Sequence, residues 1–140
     1  MIFTQYYLEC LSQASYLIGD ESTGRAVVVD PRRDINEYVQ DAEAAGLTIE
    51  LILETHFHAD FLSGHLELAN ATGAIIGLSD VASPEFDVRP FADGEKYSLG
   101  DIELEILQTP GHTPESISIV VREQPGKEPW GVLTGDTLFI

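Results

Sequence analysis

Cysteine occurs once in this chain of 140 residues, at position 10. No internal disulfide can form, which excludes the small cystine-stapled secreted scaffolds and makes a reducing, cytoplasmic-type compartment the expectation. Cys10 itself reads as a small, partly buried hydrophobe and not as a catalytic thiol. Basic residues are scarce as well: seven Lys and Arg stand against 24 Asp and Glu, for a formal net charge of −17. They are scattered, and Arg32-Arg33 is the longest run. Phosphate backbones are bound by clustered positive charge, so nucleic acid is not an expected partner. An anionic membrane surface is disfavoured for the same reason. Long apolar runs are missing too. No stretch approaches the roughly 20 residues that a spanning helix needs. The N-terminal MIFTQYYLECLSQASYLIGD has neither the basic start nor the small-residue cleavage site of a signal peptide.

What is present is a globular composition, 44% hydrophobic and 9% aromatic. At this length it can bury one core in one domain, residues 1–140. ASYLI (14–18) and RAVVV (25–29) flank the turn-rich GDESTG and read as a hairpin. Asp34 is placed to cap a helix over 35–45, with Ile35, Tyr38, Val39 and Ala42 on one face and Gly46 as its stop. TIELIL (48–53) is a strand. LSGHLELANA (62–71) returns to helical spacing through Leu62, Leu66 and Ala69, and Gly73 ends it. AIIGL (74–78) is a short strand. Residues 79–95 show no clean period and contain two prolines, which predicts a long loop, a candidate lid. KYSL, DIELEIL, SISIVV and the segment WGVLTGDTLFI then read as strands, DIELEIL with one buried and one wet face. The order predicts an α+β layered fold with helices outside the sheets. The chain stops on apolar Thr137-Leu138-Phe139-Ile140, which reads as a fold cut off before its end.

Histidine is the informative minority. There are four, and His56, His58 and His65 fall within ten positions in ETHFHADFLSGH. In extended chain, alternate residues share a face, so His56 and His58 can converge on one ion at the end of the TIELIL strand, with Asp60 one step further. The fourth, His112, stands in TPGHTP, where Pro110-Gly111 suits a type II turn that would present it rigidly. Asp136 follows Gly135 at the end of the last strand. Three strand ends thus each deliver a metal-binding side chain into a loop. His65, inside the second helix, reads as a packing or supporting residue, and Ser63-Gly64 as the means of starting that helix close to the site. Thr113 reads as a hydrogen-bonding neighbour of His112, with capping of its loop the equal alternative.

HFHAD, TPGHTP and TGD, in this order and spacing, resemble the metal motifs of the metallo-β-lactamase superfamily. More narrowly, ETHFHADFLSGH and LQTPGHTPESIS resemble its persulfide dioxygenase branch, which includes members fused to rhodanese domains. The resemblance implies an αββα sandwich, here C-terminally truncated and represented by its N-terminal part. It implies that His56, His112 and Asp136 hold one ferrous ion, leaving positions for dioxygen and a low-molecular-weight persulfide such as glutathione persulfide, which would be oxidised to sulfite and thiol. It implies that His58, a zinc ligand in hydrolytic relatives, lies close to the metal, and that Asp60, a second-metal ligand there, acts beside the site; capping the next helix is the equal alternative for Asp60. A homodimer and a rhodanese domain beyond residue 140 are both compatible with it. The rival reading is a glyoxalase II-type thioester hydrolase, with zinc in place of iron, and a further one is a non-catalytic fragment.

The departure from the superfamily pattern is Phe61, which stands where His-x-His-x-Asp-His would put a second-metal ligand. A phenyl ring cannot coordinate. Metal titration is therefore expected to saturate near one equivalent per chain, with Phe61→His the substitution best able to recruit a second ion. A two-equivalent endpoint in the unaltered chain would contradict the one-metal expectation.

Overall fold

The computed structural model describes residues 1–8, 13–56, 64–82, 87–111 and 113–135. Strands β1 (Ile2–Leu8), β2 (Gln13–Asp20) and β3 (Arg25–Val29) pair antiparallel in sequence order. The expected hairpin is β2–β3, and its turn is closed by the Asp20 carboxylate, which accepts the Thr23 N–H at 3.1 Å and the Thr23 hydroxyl at 2.6 Å. Helix α1 (Asn36–Ala44) then returns the chain to β4 (Thr48–Leu53), and α2 (His65–Thr72) returns it to β5 (Ile75–Ser79). Parallel neighbours need such crossovers. β4 and β5 accordingly lie parallel to β3, and β6 (Arg89–Phe91) adds in parallel to β5, completing a six-stranded sheet. The second sheet is an antiparallel meander of β7 (Lys96–Leu99), β8 (Ile102–Gln108), β9 (Ile117–Arg122) and β10 (Gly131–Leu133).

The strand period sorts the apolar side chains into two cores. Val27, Val29, Leu51 and Leu53 of the first sheet meet Ile102, Leu104, Ile106, Ile117, Ile119 and Val121 of the second. Their intervening neighbours Ala26, Val28 and Ile52 face the other way, onto Tyr38 and Ala42 of α1 and Leu68 of α2. The described residues thus form three layers, helices on sheet on sheet, the α+β architecture that the patterning predicts. Among them, no helix covers the outer face of the second sheet. A bulge breaks the period once: Ala26 pairs with Ile49 but Val27 with Leu51, so Glu50 is the extra residue on β4. Its carboxylate accepts Arg25 Nε at 2.6 Å and the Tyr97 hydroxyl of β7, joining the two sheets. The hydrogen bonds from Arg25, with the one from Tyr97, hold this carboxyl below the ordinary range in spite of its partial burial.

Three local expectations are corrected. Asp34 is not the helix cap: Ile35 occupies that position, and Asp34 Oδ1 accepts the Asn36 N–H two residues on, at 3.2 Å. In α2 the buried residue is Leu68, whereas Leu66 is 46% exposed. The helix begins at His65, so the face that packs on the sheet is set from there and not from Leu62, which lies outside the described residues. Glycines 46 and 73 do stop the helices, each with positive φ. Residues 79–95 are not loop throughout, because β6 pairs there with β5, and Phe91 is fully buried between the sheets. Arg89 stacks on the Phe91 ring at 4.0 Å and bridges Glu95 at 2.8 Å, which anchors the segment further. Residues 83–86, the middle of the candidate lid, lie outside the described residues. Phe91→Ala should therefore cost about 3–5 kcal/mol, the range for a large aromatic lost from a core. A denaturant midpoint close to that of the unaltered protein would show that the segment is a surface loop after all.

Candidate metal centre

The carboxyl ends of β3 and β4, the start of α2 and the ends of two strands of the second sheet meet around three consecutive buried residues, Glu54, Thr55 and His56. β4 runs directly into them. On its neighbour β3, Asp30 follows the last strand residue with φ of +52°, the one positive φ at a non-glycine residue among the described residues. That turn brings the Asp30 carboxylate across to Thr55. Oδ1 accepts the Thr55 N–H at 2.8 Å and Oδ2 accepts the Thr55 hydroxyl at 2.7 Å. The Asp30 N–H donates in turn to Leu53 O at 2.9 Å. On the far side of β4, the Glu54 N–H donates to Gly77 O of β5 at 3.1 Å.

Two glycines make the close approaches. Gly64, whose N–H donates to Pro31 O at 3.0 Å, lies so near the β3–α1 connection that a Cβ would stand 1.8 Å from Arg32 O. This is the close helix start expected of Ser63-Gly64, with Ser63 itself outside the described residues. It sets His65 as the first residue of α2, with Nδ1 3.2 Å from Glu54 Oε1. Gly135, past the end of β10, has φ of +56°, and a Cβ there would stand 2.5 Å from Thr55 Oγ1. The residue preceding Asp136 is thereby packed against the residue preceding His56.

The loop before β9 is tied to the same point. Ile117 N–H donates to Thr55 O at 2.7 Å. The loop closes on itself through Thr109 N–H to Ser116 O at 2.9 Å, and through the Thr113 and Ser116 hydroxyls at 2.7 Å. The expected type II turn is not formed, because Gly111 does not take a positive φ; its N–H donates to Thr113 O at 3.2 Å instead. Hydrogen bonds among Thr109, Gly111, Thr113 and Ser116 close this loop.

Of the residues expected to bind metal or act beside it, His56 is described, and it is only 5% exposed. His58, Asp60, His112 and Asp136, with Phe61, lie outside the described residues. No group of three metal-ligating side chains is found among the described residues. A metal fits what is seen of His56. Its Nδ1 lies 3.1 Å from Thr55 Oγ1, and an imidazole that binds a metal through one nitrogen commonly hydrogen-bonds through the other. Asp30 and Thr55 were not singled out by the sequence. The only signals were an acid at a strand end before Pro31, and a hydroxyl one residue ahead of the first histidine.

Comparison with known proteins bears on the same elements. The family model described as Metallo-beta-lactamase superfamily matches residues 8–140. The cytoplasmic hydroxyacylglutathione hydrolase of Arabidopsis thaliana is 35% identical over 96% of this chain and 53% of its own length. That of Rhodospirillum rubrum is 35% identical over 89% of the chain and 47% of its own length. The chain thus spans about half the length of these curated relatives. Among solved structures, a metallo-beta-lactamase from Staphylococcus aureus superposes with a TM-score of 0.91 at 39% identity, covering 100% of this chain and 44% of that one. ETHE1 from Myxococcus xanthus superposes with a TM-score of 0.79 at 33% identity, covering 86% and 54%. No helix among the described residues is long and apolar enough to cross a membrane. The chain belongs to the metallo-beta-lactamase superfamily.

Proposed function

We propose that this chain carries the metal-binding part of a persulfide dioxygenase. The overall reaction takes a persulfide RSSH with dioxygen and water to RSH, sulfite and two protons. The terminal sulfur is oxidised and dioxygen is reduced. One observation carries the reading: Phe61 stands where the two-metal hydrolases need a histidine, inside a run, ETHFHADFLSGH, that resembles the dioxygenase branch. The 33% identity to ETHE1 from Myxococcus xanthus goes with it.

His56, His112 and Asp136 are the proposed ligands, two imidazoles and one carboxylate, a donor set suited to ferrous iron. Iron held there would supply the redox chemistry that brings dioxygen and sulfur together. The chain's own contribution is to hold the ligands on rigid strand ends. His58 and Asp60 are proposed to act beside the metal on the bound persulfide. A small persulfide, with glutathione persulfide as the type case, and dioxygen are the proposed partners, in a cytoplasmic setting.

The second reading is a zinc-dependent hydroxyacylglutathione hydrolase. The 35% identity to two such enzymes favours it, as does the presence of His58 and Asp60 in the sequence. The two readings part on dioxygen. Within the intact, longer domain, the iron-loaded protein is expected to consume dioxygen when given glutathione persulfide, and zinc substitution should abolish that uptake. His112→Ala and Asp136→Ala should each abolish it too, since either change opens the ligand set. Thioester hydrolysis by the zinc form, with no dioxygen uptake by the iron form, would decide for the hydrolase.

A further inference from the structure

We infer that Asp30 and Thr55 form a proton-directing relay that fixes which nitrogen of His56 is available to a metal. The inference rests on His56 being a metal ligand, and not on which reaction the metal serves. Thr55 Oγ1 carries a single proton and can accept through its lone pairs. Asp30 Oδ2, 2.7 Å away, is a carboxylate oxygen and accepts only. The Thr55 proton therefore points to Asp30. Toward His56 Nδ1, at 3.1 Å, the same oxygen is then an acceptor, and Nδ1 must carry the hydrogen. In a neutral imidazole that places the lone pair on Nε2, so His56 is preset to ligate through Nε2.

Four further observations fit a built device. Asp30 and Thr55 are both buried, at 4% and 1% exposure, so water does not scramble the direction of the relay. Asp30 adopts the left-handed backbone region, which glycine would occupy with less strain. A backbone requirement alone would thus not select an acid, whereas the second acceptor oxygen does. The Thr55 N–H on Oδ1, at 2.8 Å, also locks the carboxylate plane, leaving Oδ2 at the hydroxyl. Gly135 packs tightly on the same hydroxyl, since a Cβ there would stand 2.5 Å from Thr55 Oγ1.

Asp30→Asn is the discriminating substitution, because it changes hydrogen-bond direction with almost no change of shape, and asparagine tolerates the left-handed region. The amide oxygen must take the Oδ1 place to accept the Thr55 N–H. The amide NH2 then occupies the Oδ2 place and donates to Thr55 Oγ1. The hydroxyl proton is turned toward His56 Nδ1, and the imidazole proton is driven to Nε2, the nitrogen the metal needs. The same reversal of tautomer by a carboxylate-to-amide change is known from the serine protease triad.

The test reads the tautomer directly, by long-range 1H–15N correlation on metal-free protein labelled at histidine, above the imidazole titration range. His56 is assigned by the signal lost in His56→Gln. The unaltered protein should show a protonated Nδ1 and an unprotonated Nε2, Asp30→Asn the reverse, and Thr55→Ser the unaltered pattern. Zinc affinity, measured by chelator competition, should fall about 10- to 100-fold in Asp30→Asn and in Thr55→Val, and stay close to unaltered in Thr55→Ser. A protonated Nε2 in the unaltered protein would overturn the relay, as would an Asp30→Asn protein that keeps the original tautomer. A reversed tautomer with unchanged zinc affinity would overturn its link to the metal. If Asp30→Asn fails to fold, the contrast between Thr55→Val and Thr55→Ser decides. Because neither readout uses turnover, the absence of persulfide or thioester activity would count against the proposed function and leave this test intact.

Discussion

Thr55 has a partner for every polar atom it possesses, and the site is assembled around it. Its N–H and hydroxyl are held by Asp30 at the end of β3, its carbonyl by Ile117 at the start of β9, and its hydroxyl oxygen also meets His56. One buried residue thereby joins both sheets at the end where the metal motifs leave their strands. Buried polar groups cost free energy unless they are satisfied, so such a node holds one arrangement and penalises others. The glycine at 135 belongs to the same constraint, because it lets the β10 end come up against Thr55.

The rest of the sandwich keeps that node in place. The first sheet is apolar on both faces, one packed on the second sheet and the other on α1 and α2. Doubly buried parallel strands of this kind tolerate little slippage, since a shift of one residue would exchange their two faces. The bulge at Glu50 is the exception that proves useful. It puts a carboxylate between the sheets at the end of β4 remote from His56, where Arg25 and Tyr97 satisfy it. The sandwich is thus tied by polar groups at both ends of one strand, with hydrocarbon between.

Much of this was legible along the chain. The hairpin, the β4 strand and the alternation in DIELEIL follow from local periodicity and turn chemistry, and each lies where those rules put it. α1 and its Gly46 stop follow from a clear apolar face. The errors have a common cause. Leu66 and Leu68 both suit a helix, and only the angle at which α2 meets the sheet selects Leu68. β6 is too short to show a period, and pairing with β5 makes it a strand. Gly111 could have taken the turn that Pro-Gly favours, but Ser116 and Thr113 offered the loop better hydrogen bonds.

The sequence by itself determined the superfamily and the candidate ligands, because His56, His58, Asp60, His112 and Asp136 are marked by residue type and spacing. It determined equally that Phe61 cannot ligate, since that is a matter of side-chain chemistry alone. Only the tertiary structure decided what stands behind His56. Asp30 and Thr55 are 25 positions apart in sequence, and nothing in VVVDPRRD announces a partner for a residue on the next strand. Their meeting depends on parallel pairing of β3 with β4 and on the left-handed turn at Asp30. Hydrogen-bond direction is a property of atoms brought within about 3 Å of one another, and in this protein folding alone brings them there.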